Sequence, residues 1–196
     1  AAGDGDEGGH GGGQRVLHRG VCSTFLTSAA ARMQFVPLRI VEAEGFRLPA
    51  EPAAQPLVFV ALGAREAPMF AFLEQLARAR RDGVLLGGVD VTLVWGLREP
   101  AHLHLEDELL RYVDALGLKL LVCFSRADAE LEVLRADAAA GRPKPALRVV
   151  PGARKRITTA LTLGAWPKAI YDLIVDDAVF YLCGHPSLQG TLRTVL

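Results

Sequence analysis

The stretch LVFVALGAREAPMFAFLEQLARAR, Leu57 to Arg80, decides the fold. Its first six residues are all apolar, as in a strand buried on both faces. Gly63 supplies a tight turn, and Pro68 stands where helices tolerate proline. Phe70, Phe72, Leu73 and Leu76 then share one helical face. Arg78, Arg80 and Arg81 fall in the last turn, where cations suit the helix dipole, and Gly83 lies just past the end. A strand that runs through a short turn into a helix is the unit of a doubly wound α/β domain. Turns of this kind hold nucleotide phosphates when bare backbone is exposed by several glycines. Here Gly63 is followed by Arg65 and Glu66, so a plain turn into a helix reads as well as a phosphate loop.

Outward from this unit the same alternation continues. Val89–Trp95, Leu118–Phe124 and Ala178–Cys183 read as further buried parallel strands. Leu105–Leu116 reads as a helix, with Glu106, Asp107 and Glu108 at its start and Gly117 stopping it. Thr158–Leu163 and Pro167–Val175 read as two more, split by Gly164, and a last one starts near Pro186. Ala127–Arg156 is irregular on this reading: one short helix, then the excursion GRPKPALRVVPGARK. Upstream, residues 1–14 form a Gly-rich linker that cannot bury apolar surface. Gln34–Pro49 alternates as two short strands around a Glu-Gly turn. The predicted organisation is a linker over 1–14, a β-rich fragment over 15–52 and an α/β domain over 56–196.

Composition narrows the function. The 196 residues are 51% hydrophobic, enough for a large core. Acids and bases balance at 22 each, which gives no general basic field and disfavours nucleic acid as a partner. No apolar run is long enough for a membrane span, and no signal peptide is visible. The start, AAGDGDEGGHGGGQR, reads like the middle of a longer chain. Cys22, Cys123 and Cys183 lie far apart and form no metal or redox spacing. His102 and His104, in AHLHLED, have no third ligand at useful spacing, so no metal site is expected.

In open parallel sheets ligands bind beyond the carboxyl ends of the strands. That rule selects Gly63–Ala67, then Ser125-Arg126 after LLVCF, then Cys183-Gly184-His185-Pro186. A hydroxyl and a guanidinium at one strand end suit a phosphate monoester such as the 2′-phosphate of NADP. Arg154, Lys155 and Arg156 return later and could close on the same anion; a helix cap with a solvated basic run reads equally well. Gly184 would let backbone approach a flat ring, with Cys183 beside a reacting carbon or simply buried. Gly20-Val21-Cys22-Ser23, opening a helix, offers N–H groups and a hydroxyl to an anion, or caps the helix.

Taken in order, GVCSTFL, FRLP, VTLVWGLRE with HLEDELLRY, LLVCFSR and FYLCG resemble the FAD/NADPH half of the diflavin reductases. That family includes NADPH–cytochrome P-450 reductase, the sulfite reductase flavoprotein and nitric-oxide synthase reductase domains. The resemblance runs from about Arg15 to Leu196. It implies a five-stranded parallel sheet of ferredoxin-reductase type, preceded by a residual piece of an FAD-binding barrel. It also implies NADP and FAD as cofactors, with FMN in a domain absent from this chain, and an electron-acceptor protein as partner. A cytoplasmic setting follows, with the parent at the endoplasmic reticulum surface as one option and no membrane contact from this segment.

On this resemblance Gly20, Val21, Cys22 and Ser23 hold the FAD pyrophosphate. Ser125 and Arg126 match the pair on the NADPH 2′-phosphate, Lys155 matches the lysine of the family's K-x-Y-x-Q segment and also binds NADPH, Gly63 belongs to the pyrophosphate turn, and Cys183 and Gly184 lie beside the nicotinamide, Cys183 as the catalytic residue. The family's G-x-G-T-G-x-A-P-F is here Leu62-Gly63-Ala64-Arg65-Glu66-Ala67-Pro68-Met69-Phe70, and the tyrosine of its K-x-Y-x-Q is Ile157. The R-x-Y-S segment that grips FAD is missing, so a fragment inactive alone is expected. The alternative is a diverged, non-catalytic nucleotide-binding or scaffold domain, which Arg65, Glu66 and Ile157 motivate.

Overall fold

A computed structural model describes residues 45–85, 87–134, 145–157, 177–186, 188 and 190. All of them belong to one compact unit, Gly45–Leu196. The Gly20–Ser23 anion segment, the first of the two strands expected over Gln34–Pro49 and the helices expected over 158–175 lie outside the described residues, whereas Phe46–Pro49, where the second strand is expected, forms none.

The chain order is β1 (Leu57–Leu62), α1 (Ala67–Arg81), β2 (Val91–Leu97), α2 (Glu106–Leu116), β3 (Lys119–Phe124), β4 (Ala129–Leu134), β5 (Ala146–Pro151) and β6 (Val179–Cys183). A short 3-10 turn, Pro100–His102, lies between β2 and α2. The sheet runs β5-β4-β3-β2-β1-β6. β3, β2, β1 and β6 are parallel neighbours. Connections from β1 step to β2 and then β3, whereas β6 adds on the other side of β1. The strand order therefore reverses between β1 and β6, which is the switch point where doubly wound sheets open a crevice.

Alternation along β1 divides the core. Leu57, Phe59 and Ala61 face α1 and α2 through Met69, Leu73, Leu76, Leu109 and Val113. Val58 and Val60 face the other way, onto Val94, Ile157 and Leu188. Leu57–Ala61 are 1% exposed or less, so both faces of β1 are dry. Burial on that scale stabilises by about 1.5–3 kcal/mol per large side chain, which is why this strand anchors the sheet. Across the helices, Glu74 accepts from Arg111 at 2.7 Å and from Arg78 at 2.9 Å, tying α1 to α2. Those two guanidiniums hold the Glu74 carboxyl down at about 2. Gly117, at φ 69°, ends α2 and donates to the Val113 carbonyl, as the sequence predicts for a left-handed stop.

One region differs from the sequence reading. Among the described residues, the Ala127–Arg156 excursion contributes two strands: β4 runs antiparallel to β3, and β5 pairs with β4 along its length. The doubly wound α/β class stands, but the described sheet joins four parallel strands to this antiparallel ribbon instead of being parallel throughout. AELEVL is rich in helix formers, yet it also alternates. Leu131 and Val133 pack against the main core, and Glu130 reaches Lys155. Pairing along the open edge of β3 outweighs local propensity.

Candidate functional site

The carboxyl ends of β1, β2, β3 and β6 frame a cleft of about 460 Å³. Gly63 and Arg65 come from the β1 turn, Arg98 from the end of β2, Ser125 and Arg126 from the end of β3, and His185 from the β6 loop. Arg156 and Ile157 return from beyond β5. The lining contains four arginines and no acid.

The β2 and β3 exits are fastened together. The Ser125 N–H donates to the Leu97 carbonyl at 2.9 Å, and the Arg126 N–H to the Arg98 carbonyl at 2.8 Å. This brings Arg98 alongside Arg126 at the cleft. Among the described residues, none of Arg98, Arg126 and Arg156 has an acidic partner. Their neighbours do: Arg154 lies 3.4 Å from Asp128, and Lys155 lies 2.6 Å from Glu130. Glu130 is held below the usual carboxylate range chiefly by that Lys155 hydrogen bond. The basic run 154–156 is thus two neutralised cations followed by one that is not.

Lys155 does not line this cleft. Its ammonium is engaged by Glu130 beside a small pocket between β3 and β4, and the cation from this run that lines the cleft is Arg156. Ser125, Arg126 and Gly63 do come together at the cleft. Cys183 does not line it; the side chain packs against the edge of the main core. Cys123 reaches the cleft floor, and burial pushes its thiol up to about 12, so it is no nucleophile.

The β1 end of the cleft is built differently. Gly63 takes φ 58° with open space around it, so glycine is needed there for backbone shape. The Arg65 guanidinium donates to the Gly184 carbonyl at 2.6 Å, directly across the β1/β6 switch point. Glu66 is 7% exposed and accepts from His104 at 2.9 Å through one oxygen. Its other oxygen has no partner. His104 also bonds the His102 carbonyl through Nδ1 at 2.9 Å and meets the Trp95 ring edge-on at 5.1 Å. That carbonyl, then Glu66, raise its pKa against the lowering effect of burial. With an acceptor at each ring nitrogen, the imidazolium form is the one whose N–H groups are both satisfied. Trp95 in turn donates to the Gly63 carbonyl at 2.9 Å, fixing the turn from below.

Sequence reasoning missed Arg98 and preferred Lys155 to Arg156. The signal for Arg98 was available: like the Ser125-Arg126 pair, it stands at the exit of a buried parallel strand.

No family model matches the chain. Inducible nitric oxide synthase of Gallus gallus is 33% identical over 127 residues, 64% of this chain and 11% of that protein. The Homo sapiens protein of the same name is 36% identical over 96 residues, 49% of this chain and 8% of that one. Over those residues the chain is similar to inducible nitric oxide synthases. It spans about a tenth of the length of these synthases. Among solved structures, ferredoxin-NADP+ reductase from Plasmodium falciparum with 2′P-AMP superposes with a TM-score of 0.55 over 90% of this chain and 60% of that one. Identity there is 14%, so the likeness concerns the fold. The chain has the α/β fold of ferredoxin-NADP+ reductase type, with Arg65 and Glu66 in its β1 turn. No helix among the described residues is long and apolar enough to cross a membrane.

Proposed function

We propose that this chain is the NADP-binding part of a NADPH-dependent, FAD-containing reductase. The observation that carries the reading is the group Ser125, Arg126, Arg156 and Arg98 around one acid-free cleft at the carboxyl edge of the sheet. Burying or clustering cations without acids is unfavourable unless an anion joins them. A phosphate monoester carries about −1.5 to −2 charges and three acceptor oxygens. One hydroxyl and forked guanidiniums match that geometry better than ammonium groups would. The 2′-phosphate of NADP is such a group, and the Plasmodium reductase of like fold is a complex with 2′P-AMP.

In this reading Ser125 orients the phosphate and Arg126 and Arg156 clasp it. Arg98 adds positive potential from the β2 side, and Ile157 offers an apolar surface at the cleft floor where the family has a ring. NADPH, when bound, would supply a hydride to FAD. Electrons would then pass to FMN in another domain or to an acceptor protein in the parent. Gly20, Val21, Cys22 and Ser23 are the segment proposed for FAD.

Calorimetry with 2′,5′-ADP and 5′-AMP tests the proposal, since the two differ only in the 2′-phosphate. Charge-assisted hydrogen bonds of roughly 2 kcal/mol predict about a thirtyfold preference for 2′,5′-ADP. Equal affinities would remove the arginine cluster from ligand recognition.

A second reading, a non-catalytic relative that still binds nucleotide, is favoured by Glu66 at the start of α1. Reduction of supplied FAD by NADPH in the full-length parent separates the two.

A further inference from the structure

We propose that His104 is a proton-operated latch: doubly protonated, its ring holds the strained loop between β2 and α2 against the buried Glu66, and on losing a proton it lets that loop go. The latch is independent of the nucleotide reading, since it works in the chain without ligand.

The chemistry is a count of donors. Both partners of the ring are acceptors: the Glu66 carboxylate, 2.9 Å from Nε2, and the His102 carbonyl, 2.9 Å from Nδ1. A neutral imidazole has one N–H to give, so it serves one acceptor and turns a lone pair towards the other. Placing the proton on Glu66 instead leaves the count unchanged, because the pair still holds the same number. Which bond fails is set by burial. Glu66 is 9% exposed at its side chain, and its second oxygen has no partner among the described residues. Leaving that carboxylate without any donor costs more than releasing a carbonyl at exposed His102, which water can satisfy. The N–H that remains therefore stays with Glu66, and the loop is released.

The loop is built to move when freed. Leu105, next to His104, stands at φ 57° and ψ 38°, in the left-handed region that disfavours a leucine. Its side chain is 42% exposed and belongs to neither core cluster, so packing does not hold it in that shape. Strain of this kind persists only where the surroundings impose it. The two bonds of the His104 ring stand one residue before it, and the Leu109 N–H donates to the Leu105 carbonyl at 2.9 Å after it. The same loop walls a second cavity of about 350 Å³, which shares Gly63, Leu97 and Arg98 with the cleft. Release of the loop is thus felt on the β2 side of the cleft.

The charges around the ring set where the latch works. Glu66, before α1, and Glu106, Asp107 and Glu108, in the first turn of α2, favour the proton. Arg98 at the β2 exit and His102 on the 3-10 turn share the second cavity with His104 and oppose it. The His102 carbonyl and Glu66 prevail over burial, and His104 titrates above its ordinary 6.5. The latch is therefore closed at acid pH and opens as pH rises through the folded value.

The test is amide exchange of the ligand-free 196-residue chain across the titration of the His104 ring, both followed by NMR, with exchange corrected for its intrinsic dependence on pH. The N–H groups of His102, Leu103 and Leu109, which donate to the Glu99, Pro100 and Leu105 carbonyls, report the loop. The Gly117 N–H, at the other end of α2, is the control. Protection at the three should fall by at least about threefold as His104 loses its proton, the scale of one lost hydrogen bond, while Gly117 keeps its own. Protection that holds through the titration would overturn the latch. His104→Gln carries its donors on a single nitrogen and cannot span both acceptors, so the loop should exchange fast at every pH; a remaining step with pH would overturn it equally. If that variant fails to fold, Glu66→Gln serves: without the carboxylate charge the loop should open at lower pH, and an opening at unchanged pH would overturn the latch.

Discussion

The two ends of one cleft are built on opposite rules. At the β3 end, Arg98, Arg126 and Arg156 share a space with Ser125 and have no acid among the described residues. At the β1 end the charged side chains are engaged from within: Arg65 by the Gly184 carbonyl, one oxygen of Glu66 by His104, and His104 again by the His102 carbonyl. Both ends lie on the same sheet edge, and their residues come from consecutive strands. What separates them is whether the side chains satisfy each other or leave charge for an outside group. The lesson is that strand-end position nominates residues, while pairing decides which of them are available.

The contrast can be broken most sharply at its cationic end. Ser125→Ala with Arg126→Ala should weaken 2′,5′-ADP by roughly 2–3 kcal/mol, about 30- to 150-fold, read by calorimetry. Unchanged affinity would mean that the open end is open for some other reason. Gly96→Ala attacks the floor beneath both ends. A methyl there would lie 2.7 Å from Leu62 Cδ2 and 3.3 Å from Ile157 Cβ. Overpacking of this kind costs about 1–3 kcal/mol and should appear as a lowered melting temperature. A wild-type melt would show that Leu62 and Ile157 can give way freely.

The basic run offers a finer cut. Arg156→Ala should weaken 2′,5′-ADP about tenfold, the scale of one charged hydrogen bond. Lys155→Ala and Arg154→Ala should change it by less than about twofold, since exposed ion pairs contribute little. If Lys155→Ala is the damaging change, its pairing with Glu130 gives way when ligand binds and the resemblance was the better guide.

The smallest effects concern pH, and they differ in sign across the molecule. His104 has its pKa raised, so its contribution is fully present below the ordinary 6.5 and is lost as pH rises through the folded value. Glu74, held at about 2, contributes above its ordinary 4.5 and loses that contribution as pH falls towards 2. Melting curves should therefore decline gently on the alkaline side, and Glu66→Gln should flatten that decline. A decline of the same slope in the variant would show that Glu66 does not support the imidazolium.

Much of this was legible before any coordinates. Leu57–Leu62 and the helix after it announce themselves by unbroken apolarity, then by a face of Phe70, Leu73 and Leu76 with Gly83 beyond. Ser125-Arg126 was marked by standing at a strand exit. β4 was not legible, because AELEVL fits a helix by propensity and a strand by alternation, and only the free edge of β3 decides. Nor could the sequence distinguish Lys155 from Arg156. Adjacent residues on an extended segment point to opposite sides, and which side faces the cleft depends on where Glu130 stands. Arg65 and Glu66 stood out as an oddity in a turn that wants glycine, but their partners, Gly184 and His104, lie 119 and 38 residues away.

The most direct test of the central claim follows the ligand's own phosphates. In a phosphorus NMR titration of 2′,5′-ADP, both groups should titrate near their free second pKa, about 6, in the absence of protein. With the chain bound, the account predicts that the 2′-phosphate resonance titrates at clearly lower pH, because adjacent guanidiniums favour the dianion. The 5′-phosphate should move much less. A 2′-phosphate that titrates as it does free, or a larger shift at the 5′-phosphate, would contradict the assignment of Ser125, Arg126 and Arg156 to that group.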